Sequence, residues 1–174
     1  MIGQFSKNKI REDVILMMMA NQLKQIAHDY KIFIFSATQV NALGIADDEM
    51  EFKDEKSIRG SKAIADKCDM GYVMTRISEK GWNSLKGNLK SSVREGVIPD
   101  SYIEDENMRP THVLDIYKMR RGRYKMIRIW VNLHLGTGYR KDLFITNAVN
   151  QPMNEPIDLF SSATEREITI KIGE

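Results

Sequence analysis

Lys31-Ile32-Phe33-Ile34-Phe35-Ser36-Ala37-Thr38-Gln39-Val40-Asn41 is the stretch on which a fold assignment for this chain turns. Ile32 to Phe35 are apolar at both parities, without the polar alternation of a strand that faces water on one side. A short run of this kind predicts a strand buried on both faces of a parallel sheet. The run ends in polar residues. In open α/β sheets ligands gather at the carboxyl ends of the strands, so Thr38, Gln39 and Asn41 stand where chemistry is expected if this strand is central. The same three residues equally suit a turn whose side chains hydrogen-bond a loop.

Working outward, Met1 to Arg11 reads as a polar loop, and Asp13 is positioned to cap the helix that the next residues predict. Ile15, Met19, Leu23, Ile26 and Tyr30 recur at helical spacing, with Asn21, Lys24, Gln25 and Asp29 on another face. That pattern predicts an amphipathic helix of about five turns whose methionine-rich face belongs to the core. Asn41 to Ser57 carries six acidic residues against Lys53 and Lys56 and reads as a mobile surface loop. Ser61 to Asp69 reads as a short helix and Met70 to Thr75 as a second strand of the buried type. Strand, helix, strand is the rhythm of a βαβ-built sheet.

The sequence then changes character. Gly81, Gly87, Gly96, Pro99 and Pro110 punctuate residues 78–110, which predicts an excursion from the sheet with a short helix over Leu85 to Arg94. His112 to Tyr117 and Met126 to Leu133 read as the two arms of a hairpin, with Gly122 available for the positive φ of a tight turn. Ile127, Ile129, Val131 and Leu133 alternate with Arg128, Trp130 and Asn132, the pattern of a half-buried strand. Between the arms lie Lys118, Arg120, Arg121, Arg123 and Lys125. Cations at a hairpin tip repel one another, so they suit an anionic visitor, above all phosphate, which Arg can hold with a bidentate fork. They equally suit a solvated edge guarded by charge. Gly136-Thr137-Gly138 makes a further turn, Asp142 to Thr146 a further strand, and Glu167 to Ile172 a terminal edge strand.

Composition bounds the function. A chain of 174 residues is long enough for a sizeable core, and 26 basic residues nearly balance 24 acidic ones. Nucleic-acid binding would therefore rest on local patches rather than on the global field. Cys68 alone excludes an internal disulfide framework. His28, His112 and His134 lack metal-ligand spacing, so no metal site is expected. With no signal-peptide pattern and an apolar run at Val14 to Ala20 too short to span a bilayer, the expectation is a cytoplasmic protein without a membrane partner.

With these segments in order, the chain resembles the second half of the RecA-like ATPase domain of DnaB-family (superfamily 4) replicative DNA helicases. The family's strand ending Ser-Gln-Leu-Asn is met by Thr38-Gln39-Val40-Asn41. Its Leu-Arg-Glu-Ser-Gly-x-Ile-x-x-x-Ala-Asp loop is met in part by Ile58-Arg59-Gly60-Ser61-Lys62-Ala63-Ile64-Ala65-Asp66-Lys67-Cys68-Asp69, and its Lys-x-Arg-x-Gly hairpin by Lys118-Met119-Arg120-Arg121-Gly122. The resemblance covers residues 12–145, apart from 78–110.

The resemblance implies an α/β, partial RecA-like fold, with a mostly parallel sheet flanked by helices and a C-terminal antiparallel hairpin. Residues 1–150 would be the C-terminal part of the helicase core and 151–174 a tail with a short edge strand. It further implies that Gln39 senses the γ-phosphate, that Arg59, Gly60 and Lys62 hold single-stranded DNA, and that Lys118 and Arg120 reach the neighbouring subunit's nucleotide. The sequence departs from the family where Gly60 and Lys62 replace Glu and Gly. It also contains no Gly-x-x-x-x-Gly-Lys-[Ser/Thr] loop and no preceding strand ending in Asp. ATP and Mg²⁺ would therefore be bound mainly by a polypeptide or domain carrying that half, and this chain alone would not hydrolyse ATP. A non-catalytic module that binds single-stranded DNA or docks on a helicase is the alternative, and an interaction protein whose cations serve solubility is a third.

Overall fold

The computed structural model describes residues 12–40, 50–58, 62–120, 122 and 126–153. The polar loop expected over 1–11 and the edge strand expected over 167–172 lie outside these residues.

Helix α1 runs over Glu12–Tyr30. It ends where Lys31 takes a left-handed φ of 55° and the Ile32 amide donates back to the Ala27 carbonyl at 3.1 Å, the bond that closes a Schellman cap. The face expected to enter the core is not covered. Ile15, Met18, Met19, Leu23 and Ile26 are all exposed.

After a single 3-10 turn at Glu55–Ser57, α2 occupies Lys62–Lys67. Strand β1, Met70–Arg76, leads to α3, Glu79–Arg94, and a single turn α4, Ser101–Glu104. Three strands follow: β2, His112–Met119; β3, Ile127–His134; and β4, Tyr139–Asn147. They form one sheet in the order β1-β2-β3-β4, and every neighbouring pair is antiparallel.

This arrangement overturns the mostly parallel, partial RecA-like sheet expected from the sequence. Helices and a sheet are both present, but Lys31 to Gln39 joins no strand, and β1 is an antiparallel edge. The reason lies in residues 77–111. They are long enough for a crossover, yet the Ile77 amide donates to the Thr111 carbonyl at 2.9 Å, so β2 starts beside the end where β1 finished and must run back along it. As an edge strand β1 alternates, with Val73 buried and Met70, Tyr72 and Met74 exposed.

Residues 78–110 leave the sheet through helices and pack back onto it. Ser78 caps α3, its hydroxyl accepting from the Gly81 amide at 3.1 Å, and Trp82, Leu85 and Leu89 fall on one face of the helix. That face packs with Ile77, Ile98, Val113, Trp130, Leu143 and Phe144 into the main core. Trp130 stacks on Phe144 at 5.9 Å between centroids, and its indole N–H donates to the Thr146 hydroxyl at 2.9 Å. On the opposite side of the sheet Leu114, Ile116, Ile127, Ile129 and Val131 form a second buried cluster. Strand β3 is therefore buried on both faces, more deeply than its alternation suggests. Among the described residues of the β2–β3 connection the left-handed one is Met126, at φ 59°, rather than Gly122. Gly122 is needed for space instead, because a Cβ there would overlap the Met119 side chain.

Candidate functional site

Helix α2 ends at Lys67, and the carbonyls of its last turn have no partner within the helix, so that end carries partial negative charge. Two side chains from the end of β2 reach it. The Lys118 ammonium donates to the carbonyls of Ala65 and Asp66, the latter at 2.9 Å, and the Arg120 guanidinium donates to the Asp66 carbonyl at 2.7 Å. Residues two apart on an extended strand share a face, and the intervening Met119 is buried on the other side.

A third cation comes from α1. The Lys24 ammonium donates to the Lys67 carbonyl at 3.1 Å and to the Asp69 carboxylate at 2.8 Å, and Arg120 lies 3.6 Å from the same carboxylate. The Arg120 amide also donates to the Asp69 carbonyl at 2.9 Å. The cluster is thus held by a helix end and one carboxylate within the chain, while Arg120 keeps roughly half of its side chain open to solvent. Beside it, Tyr117 lies against Gly71, where a Cβ would meet its ring. Burial, reinforced by the neighbouring Cys68, pushes the Tyr117 phenol above its ordinary range.

Of the other residues singled out from the sequence, Gln39 is described in full. Gln39 is exposed at the end of the extended segment. Its neighbour Val40 makes an isolated antiparallel bridge to Ile58, which brings Gln39 close to Ile58. Arg59 and Gly60 lie outside the described residues, and so does the side chain of Lys62, whose backbone opens α2. Arg121, Arg123 and Lys125 are likewise outside them. Of the residues expected to contact phosphate, Lys118 and Arg120 thus meet the closing end of α2, whereas Gln39 lies beside the Val40–Ile58 bridge.

One polar site is not evident from the sequence as such. Arg128, with no exposed side-chain surface, donates from Nε to the Asp115 carboxylate at 2.7 Å. Its Nη1 donates to the Met50 carbonyl at 2.6 Å and to the Asn150 side-chain oxygen. The Lys53 amide completes the carboxylate at 2.8 Å, and the guanidinium lies 5.0 Å from the Trp130 ring centroid. Burial pushes the Asp115 carboxyl above its ordinary value, with Arg128 and the Lys53 amide pulling it back. The signal for it is the hairpin register: once Ile116 faces Ile127, Asp115 must face Arg128. Burial and full satisfaction make this a clasp, holding residues 50–53 and 150 to the sheet.

Among the described residues no three His, Cys, Asp or Glu side chains gather where a metal ion would fit, and no described helix is long and apolar enough to cross a membrane. The chain is 32% identical over 143 residues to the SPbeta prophage-derived uncharacterized protein YorI of Bacillus subtilis (strain 168), a match that takes in 82% of this chain and 26% of that protein. It thus spans about a quarter of the length of this relative. No protein family and no solved structure matches it.

Proposed function

We propose that the chain is the C-terminal portion of an ATP-dependent hexameric replicative DNA helicase, acting in the cytoplasm. It would work with a polypeptide or domain that carries the phosphate-binding loop and with neighbouring subunits. Arg59, Gly60 and Lys62 would hold single-stranded DNA phosphates, Gln39 would orient a water or a γ-phosphate oxygen, and Lys118 and Arg120 would offset charge on the neighbouring subunit's nucleotide. Magnesium would be held mainly by the partner half, which would carry the phosphate-binding loop.

The observation that supports this reading is the contact of Lys118 and Arg120 with the closing end of α2, whose first residue is Lys62. Six helical residues make a rod about 9 Å long. Displacing one end therefore disturbs the bonds at the other, which is what linking DNA grip to nucleotide state requires.

Fluorescence anisotropy with a labelled single-stranded oligonucleotide tests the DNA contact on the chain alone. Binding should be weak and should fall steeply with salt. Arg59→Ala combined with Lys62→Ala should reduce the slope of log affinity against log salt by roughly 1.4, since each cation that neutralises a single-strand phosphate adds about 0.7. An unchanged slope would remove the DNA role from these residues. Steady-state turnover with ATP, Mg²⁺ and DNA should be absent from the isolated chain, and hydrolysis that persists through rigorous purification would count against a partner-supplied phosphate site.

A further inference from the structure

Helix α1 and the segment after it carry an apolar surface that none of the described residues covers. Phe33 is 88% exposed, Phe35 66% and Met18 55%, beside Ile15, Met19, Leu23, Ile26 and Ile32. The surface continues onto the sheet: the Phe35 ring lies 6.4 Å from that of Tyr72, and Tyr72 shares the outward side of edge strand β1 with Met70 and Met74. An apolar patch of this extent on a lone chain marks an interaction surface.

Its backbone narrows the kind of partner. Among the described residues, the segment from Phe33 to Gln39 makes no backbone hydrogen bond, and pairing resumes only at the Val40–Ile58 bridge. Ile32 and Ile34 alternate with Phe33 and Phe35, so both sides are apolar. A helix groove would bury one side and leave the amides open. A place inside a sheet would pair the amides along both edges and cover both sides at once.

We infer that residues 32–39 enter as an inner strand of a sheet contributed by a further polypeptide segment, with the apolar face of α1 and the outward face of β1 packing beside it. The segment is the one represented in the Bacillus relative by the part that this chain does not match, about three-quarters of its length. The inference rests on exposure and unpaired backbone and stands apart from the nucleotide reading.

The test is to coexpress the full chain with the unmatched part of that relative as a separate polypeptide, then to combine light scattering with amide hydrogen exchange. The expected result is an equimolar complex in which amides 33–39 exchange on the order of a hundredfold more slowly than in the chain alone, while those of β2 and β3 are unchanged. Phe33→Lys with Phe35→Lys should abolish the complex without shifting the unfolding midpoint of the isolated chain. The same amides can be followed in a chimera that places this chain within the relative at the matched stretch. The inference is overturned if neither arrangement slows amides 33–39. It is equally overturned if they are already protected in the monomeric chain, if a concentration-dependent dimer of the chain protects them, or if the double lysine variant destabilises the isolated chain.

Discussion

Arg128 is the side chain with the most to lose. Fully buried and bonded to Asp115, Met50 and Asn150, it cannot be removed without leaving an uncompensated carboxylate. Arg128→Ala should therefore cost about 3–5 kcal/mol in urea unfolding, whereas replacing the pair together, Arg128→Met with Asp115→Leu, should recover most of that loss. Equal losses in the single and double variants would show that the pair itself, not the stranded charge, sets the cost. His112 makes a different case. Burial first, and then Arg76 across the β1–β2 ladder, hold its imidazolium below the ordinary range. The folded chain then binds fewer protons than the unfolded one, so this contribution is present above about pH 6.5 and is lost as pH falls through the lowered folded value. His112→Gln should flatten that part of the stability profile, and a profile of unchanged slope would assign it elsewhere.

At the scale of elements, α2 depends on side chains outside itself, because six residues cannot sustain a helix by propensity alone. Lys118→Ala with Arg120→Ala should speed amide exchange across α2 and cost about 0.3–1 kcal/mol for each cation withdrawn from the helix end. A larger cost would mean that the pair supports the sheet as well. The hairpin arms are legible in the sequence, because β-branched and aromatic residues flank a charged connection, and so is the shared face of Lys118 and Arg120. Their local anion is not. A helix end is a backbone property, and nothing in Ala65 or Asp66 as letters announces that their carbonyls will meet a lysine 53 and 52 residues further on. The parallel sheet is a misreading for a related reason: Ile32 to Phe35 has the composition of an inner strand, but composition does not fix pairing, and the segment joins none of the four strands. Helix α3 is longer than the sequence suggests, because Gly81 and Gly87 look like punctuation, whereas the Trp82, Leu85 and Leu89 spacing governs the packing.

For the whole molecule, sheet order follows chain order, and this bears on how fast the chain folds. Strands that meet their sequence neighbours close short loops and form early. The Arg128 clasp reaches furthest, since its bonds to Met50 span 78 residues from Arg128 and 100 from Asn150. Those contacts should be absent from the rate-limiting barrier and form on its native side. Asn150→Ala removes the side chain bonded to both Arg128 and Met50, at an expected cost of about 1–3 kcal/mol. In stopped-flow chevrons nearly all of that cost should appear as faster unfolding, with a φ-value below about 0.3 and an almost unmoved refolding arm. A refolding arm that slows in proportion would place the clasp in the nucleus instead. If the refolding arm stays put, the lifetime of the native state is governed by a contact that its formation rate never senses.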